Sequence, residues 1–235
     1  MRLLLFDIDH TLLSVRGGLG RSICAEAFRS VYGSDPTDVL RSYSFSGRTD
    51  RRIVGDLGVT LGIDAAVLDD GWNAYEDILR RRSFETITQN DVHVHPGVRD
   101  LLHALNDSGI TLALVTGNQR DVARHKLAMG SLDDHFDMAG AFGCEHADRD
   151  LLPPLALERI NARRLQEGRN PFGVTDTVVI GDAPPDIRCA SVNGMRSLAV
   201  ATGEFDVQAL TDHGADAVLP DFSDTKLAID LLLHI

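Results

Sequence analysis

Six short apolar runs, at residues 3–6, 110–115, 138–142, 177–180, 197–200 and 217–219, limit what this chain can fold into more than any other feature. Most are bounded by Gly, Asp or Asn, and helix-like stretches lie between them at 97–106, 121–129, 151–166 and 186–192. In the first of these, Val98, Leu101, Leu102 and Leu105 recur on one helical face. Runs so short and so continuously apolar, alternating with helices, predict a parallel sheet built from βαβ units. The interval from about residue 15 to residue 90 breaks that rhythm. Ile23, Ala27 and Val31 repeat at helical spacing, helices are also predicted at 50–57 and 65–82, and the latter carries Val67, Trp72, Tyr75 and Leu79. No strand-like run stands out there. Gly17-Gly18-Leu19-Gly20 and Gln89-Asn90-Asp91 read as flexible boundaries. The sequence therefore predicts an α/β core of residues 1–15 and 91–235, with an all-helical module of 16–90 inserted after the first strand.

Charge and composition exclude several functions. The 35 acidic residues outnumber the 23 Lys and Arg, giving a net charge of −12, which disfavours nucleic acid as a partner. The one dense basic run, Arg80-Arg81-Arg82, is predicted to sit at a helix end and offset its dipole. With 43% hydrophobic and 25% charged residues, the chain has an ordinary globular composition. No apolar run approaches the eighteen or so residues of a membrane span, and the first apolar run is too short for a signal-peptide core. Three scattered cysteines, Cys24, Cys144 and Cys189, show neither metal-ligand spacing nor even pairing. A reducing cytoplasm is the expected setting.

The chemistry gathers at three strand ends. The first runs into Asp7-Ile8-Asp9-His10-Thr11. Residues two apart on an extended chain point the same way, so Asp7 and Asp9 converge where open α/β sheets bind ligands. Two such carboxylates suit a hard metal ion or a nucleophile with an acid/base partner; a solvated strand end is the plain alternative. The second strand ends in Thr116-Gly117-Asn118 directly before a helix, which makes either a phosphate cradle or an ordinary helix cap. A later strand ends in Gly181-Asp182-Ala183-Pro184-Pro185-Asp186, a loop with two carboxylates, or simply a helix start.

Taken together and in this order, Asp-x-Asp, Thr-Gly-Asn and Gly-Asp-x-x-x-Asp resemble the haloacid dehalogenase superfamily, over essentially the whole chain. Phe45-Ser46-Gly47-Arg48-Thr49-Asp50 is similar to a cap segment of phosphoglycolate-phosphatase-like members. The resemblance implies a Rossmann-like core with a helical cap domain. It also implies a hydrolase that forms an aspartyl-phosphate on Asp7, with Asp9 as acid and then base. Mg²⁺ would be held by the Asp7 carboxylate, the Asp9 main-chain carbonyl and Asp182, with Asp186 in support. Thr116, Gly117 and Asn118 would bind the phosphoryl group, and Arg48 a carboxylate or second phosphate of the substrate. The expected partner is a small phosphorylated metabolite.

Two positions depart from the family pattern. His10 stands where relatives usually carry Gly, and no lysine lies where relatives place one. The chain has only two lysines, Lys126 and Lys226. Lys126 lies ten residues past Thr116, which on a helix is roughly 15 Å away from the strand ends. Arg149 stands just before the helix that leads to the Asp182 loop, where relatives carry the cation, and the resemblance therefore implies that it supplies the site's cation. A phosphomutase of the β-phosphoglucomutase type shares the metal and cap. A 2-haloacid dehalogenase needs no metal and lacks the second Asp of the first motif, so Asp9 and Asp182 argue against it. A non-catalytic binding module would have little reason to keep all of these residues.

Overall fold

The computed structural model describes residues 2–136 and 138–235. The first strand, β1 (Leu3–Phe6), is buried throughout. Leu4 and Phe6 face one side of the sheet with Leu101, Leu105 and Leu127, while Leu3 and Leu5 face the other with Leu152, Ala156 and Ile160. Burial on both faces is why the strand reads as an unbroken apolar run.

A short strand β2 (Leu13–Val15) follows, and then the helices α1 (Leu19–Tyr32), α2 (Thr37–Ser42), α3 (Asp50–Leu61) and α4 (Ala65–Thr86). The chain returns through β3 (Val92–Val94), α5 (Val98–Asp107), β4 (Thr111–Thr116), α6 (Arg120–Met129), β5 (Ala141–Phe142) and α7 (Leu152–Gln166). It ends with β6 (Thr177–Gly181), α8 (Pro184–Val192), β7 (Arg196–Val200), α9 (Val207–Asp212), β8 (Ala217–Leu219) and α10 (Thr225–His234). The main sheet has the order β5-β4-β1-β6-β7-β8 with every pairing parallel. The chain steps outward from β1 on one side and then on the other. That reversal opens a crevice at the carboxyl ends of β1, β4 and β6.

The inserted helices build a second apolar cluster, which includes Ile23, Phe28, Leu57, Trp72 and Tyr75 and is joined by Val122 of α6. Trp72 and Tyr75 stack with centroids 5.6 Å apart, and the Arg51 guanidinium lies 4.7 Å above the Trp72 ring. Helix ends are set locally. Thr49 caps α3 by accepting from the Arg52 amide at 3.0 Å, and Gly33 ends α1 in the left-handed region at φ 72°.

Several elements differ from the sequence reading. β2 and β3 pair antiparallel at the two feet of the insertion. Each has three residues, too few to show alternation. The run at 138–142 yields a strand only at Ala141–Phe142. The helix holding Arg80-Arg81-Arg82 continues to Thr86, and its last turn carries no base. Arg82 instead bonds Glu26 and Glu85.

His10 explains why a glycine is expected at its position. It adopts φ 61°, in the left-handed region. The turn it begins directs the Leu12 and Leu13 amides back to the Ile8 carbonyl, at 2.9 and 3.2 Å. A residue with a Cβ is strained there by about 1 kcal/mol. His10→Gly and His10→Ala both lose the Ser14 contact, so the Gly variant, free of the strain, should melt about 2 °C above the Ala variant, and a Gly variant that melts lower in calorimetry would show that no strain is stored there.

Candidate active site

The crevice is floored by acids. Asp7 continues β1, donating its amide to the Ile180 carbonyl at 2.8 Å, and is 5% exposed. Asp182 follows the last residue of β6, and Asp186 lies in the first turn of α8; both are buried. Carboxylate oxygens of Asp7, Asp182 and Asp186 all lie within 4.8 Å of one another. Arg149 packs against two of them, with Nη2 at 3.2 Å from Asp7 Oδ1 and 2.5 Å from Asp186 Oδ1. One cation against three buried carboxylates leaves an excess of negative charge. Burial and the charges of Asp186 and Asp7 push the Asp182 carboxyl well above the usual range. Burial also raises Asp186, with Arg149 opposing it. Asp182 Oδ2 is buried and finds no hydrogen-bond partner among the described residues. Clustered hard oxygens, one of them orphaned, fit a small divalent cation.

The Asp9 carboxylate has partners of its own. Lys126 Nζ lies 2.9 and 2.7 Å from its two oxygens and 2.6 Å from Asn118 Oδ1. Asn118 Nδ2 donates to Asp9 Oδ2 at 2.7 Å and to Thr116 Oγ1 at 2.8 Å. Burial works against the charge on Asp9, but Lys126 and Asn118 outweigh it and hold the carboxyl below its ordinary range.

The expectation that Lys126 lies remote from the strand ends is corrected by this geometry. Its helix begins at Arg120, not at Thr116, so Lys126 is only six residues in, about 9 Å along the axis. Helical side chains also lean toward the N-terminus, which returns the long Lys126 chain to the site. Lys126 is 8% exposed and Arg149 6%, so two buried cations serve the crevice where one was expected.

The Thr116–Asn118 loop is gripped by the insertion. The Asp50 amide donates to the Gly117 carbonyl at 2.8 Å, and the Gln119 amide donates to Asp50 Oδ2 at 2.6 Å. Arg51 N donates to the Gly143 carbonyl at 3.1 Å, and Thr49 Oγ1 to the Ala147 carbonyl at 3.0 Å. A Cβ at Gly117 would collide with the Arg48 carbonyl, so only glycine permits this approach. Burial pushes the Asp50 carboxyl up to about 6. Sequence reading missed Asp50 as a cross-contact. Its place just after the capping Thr49 was the available signal. Arg48 lines the same cavity, but its guanidinium bonds Asp56 at 2.6 Å rather than Asp50, and lies 4.7 Å over the Tyr43 ring. His10 is exposed at the mouth, with Nδ1 3.0 Å from Ser14 Oγ and its carbonyl accepting from Thr202.

A parallel sheet whose β1, β4 and β6 ends deliver acids, amides and cations to one crevice, overlaid by an inserted helical segment, defines a carboxylate-centred enzyme of the open α/β type. Residues 4–191 match the family model of haloacid dehalogenase-like hydrolases, and the chain belongs to that family. It is 26% identical to a phosphoglycolate phosphatase of Vibrio vulnificus over 99% of this chain and 96% of that protein. A match to PpaX of Caldanaerobacter subterraneus, named as a candidate pyrophosphatase, is 27% identical, and the chain spans about half that protein's length, 54%. The fold is shared with a phosphatase predicted in Clostridium acetobutylicum, with a TM-score of 0.68 at 19% identity and coverage of 97% and 98% of the two chains.

Proposed function

We propose that this hydrolase is a Mg²⁺-dependent phosphatase of a small phosphomonoester, acting through an aspartyl-phosphate on Asp7. The observation that carries the reading is the buried Asp7, Asp182 and Asp186 cluster with its orphaned Asp182 oxygen. An anionic ester cannot approach these acids without added positive charge. Asp7, Asp182 and the Asp9 main-chain carbonyl would hold Mg²⁺, with Asp186 supporting them; when bound, the ion supplies charge neutralisation for Asp7 and a phosphoryl oxygen.

The chain's own groups then divide the work. Asp7 attacks phosphorus. Asp9, ionised in the free site, would pick up the proton carried by a monoanionic ester, pass it to the leaving oxygen and afterwards take one from the attacking water. Lys126 and Asn118 fix the Asp9 carboxyl in one orientation. Arg149 holds Asp7 in place and faces the charge that develops beside it. Thr116 and the amides of Gly117 and Asn118 receive the phosphoryl oxygens. Residues 16–90 serve as the cap that covers the site, a reading supported by the apolar cluster that their helices build and that Val122 of the core joins, over a core of 1–15 and 91–235. The setting is taken as cytoplasmic. Among the described residues no helix is long and apolar enough to cross a membrane, and the acidic chain favours a small metabolite over nucleic acid.

Phosphate release from a panel of phosphorylated metabolites, with and without Mg²⁺, tests the reading. Turnover that survives exhaustive chelation would contradict it.

The raised carboxyls also set a pH dependence. Asp50, Asp182 and Asp186 all titrate higher when folded than when unfolded. The folded protein thus binds more protons above about pH 4, and stability falls as pH rises. Asp9 shifts downward, so its contribution is lost only below its folded value, outside this window, while His95, lowered to about 4 by burial, opposes the trend below about pH 6.5 without matching three raised carboxyls. Metal-free protein should melt at a higher temperature at pH 5 than at pH 8, and excess Mg²⁺ should lift the pH 8 midpoint most. A metal-free midpoint that rises from pH 5 to pH 8 would refute the assignment of these buried acids.

A further inference from the structure

The cavity above the acids has a volume of about 330 Å³ and extends from the carboxylate floor into the inserted helices. Its inner wall is apolar: Ile23, Ile53, Leu79, Ile87 and Val122 line it, each at most 6% exposed. A phosphoryl group held over Asp7 fills only the floor. The wall needs a partner of its own, because a small polar leaving group would leave apolar surface against water.

The two cations of the insertion that line the cavity, Arg21 and Arg48, already have partners. Arg48 donates to Asp56, whose carboxylate also takes Arg52 at 2.7 Å and the Tyr43 hydroxyl at 2.6 Å. Arg21 donates to the carbonyls of Leu40 and Tyr43, at 2.5 and 2.6 Å, at the carboxyl end of α2, and lies 4.7 Å over the Phe45 ring. A helix C-terminus is where a cation is best placed. The remaining charged groups of the insertion side are acids. Asp50 lines the cavity, and so does Glu204 of the core, held by Ser44 at 2.9 Å. An anionic leaving group would meet two carboxylates and no uncommitted guanidinium among the described lining residues.

We infer that the leaving group is uncharged and predominantly apolar, a chain or ring of several carbons, and not a carboxylate-bearing or doubly phosphorylated one. This rests on the phosphatase reading for the position of the phosphoryl group. It narrows that reading, since the cap segment resembles that of enzymes whose leaving group carries a carboxylate, while the lining here disfavours one.

Calorimetric titration of the full chain with Mg²⁺ and n-alkylphosphonates from methyl to hexyl measures this without requiring turnover. Affinity should rise about three- to fourfold per methylene, the change that about 0.8 kcal/mol produces. Phosphonoacetate should bind at least tenfold more weakly than propylphosphonate. Leu79→Ala should reduce the hexyl-to-methyl ratio at least threefold. Asp56→Ala, by releasing Arg48, should improve phosphonoacetate binding relative to propylphosphonate. A flat chain-length series, or phosphonoacetate binding as tightly as propylphosphonate, overturns the inference. The matching alkyl phosphates, assayed in parallel, separate the two ideas: a chain-length gain in binding with no phosphate release upholds the pocket and sinks the phosphatase reading.

Discussion

Asp7→Asn is expected to lower phosphate release by at least about a thousandfold while leaving the fold in place, because nucleophile loss in covalent hydrolysis costs several orders of magnitude. The amide has the carboxylate's shape but no nucleophilic oxygen. Structure around it should persist, since the Asp7 backbone bond to Ile180 does not involve the side chain. The side chain pairs with Arg149, which keeps Asp186 as a partner. Removing one of several crowded acids also relieves repulsion on Asp182. The thermal midpoint should therefore hold or rise as activity disappears. Activity above about a hundredth of wild type, in a variant that melts normally, would remove Asp7 from its role.

The second large effect is shared by the two buried cations. Arg149→Ala and Lys126→Ala should each cost at least about a hundredfold in kcat/KM, the range of a lost charge contact in a water-poor site. They should differ in how. Arg149 faces Asp7 and Asp186, so its loss strikes the phosphoryl end and leaves three acids uncompensated. Lys126 meets the Asp9 carboxylate through both oxygens, so its loss strikes proton transfer. An ester with a good leaving group needs little help from an acid. The Lys126→Ala defect should shrink at least tenfold on an aryl phosphate, whereas the Arg149→Ala defect should not. Breaking a buried pair also costs about 3–5 kcal/mol of stability, so midpoints must accompany the kinetics. Equal defects on both kinds of ester would show that Lys126 does not act through Asp9.

The α/β core was legible because β1, β4 and β6 are buried on both faces, which leaves apolar runs that end abruptly in Asp7, Thr116 and Gly181. The helical insertion was legible from its 3.6-residue period. What escaped were short or long-range features. β2 and β3 are too brief to carry a pattern, and their pairing joins Leu13 to Val94 across the whole insertion. Asp50 closes the quoted cap segment, but nothing in that segment marks it out; its importance arises from a hydrogen bond to Gln119, 69 positions away. Lys126 was misplaced because residue counting ignored the loop before Arg120 and the backward lean of a long side chain. Arg149 could be placed beside the acids because the family resemblance puts a cation shortly before α7 and the strand that leads to Asp182.

The covalent step is tested most directly by acid-quenching Asp9→Asn during reaction with a ³²P-labelled aryl phosphate and Mg²⁺. The aryl leaving group departs without an acid, while water attack on the acyl phosphate loses its base, so the intermediate should accumulate. Label recovered on the peptide containing Asp7, and released by hydroxylamine, is the expected result. Continued phosphate release with no label on Asp7 at any quench time would contradict hydrolysis through an aspartyl-phosphate.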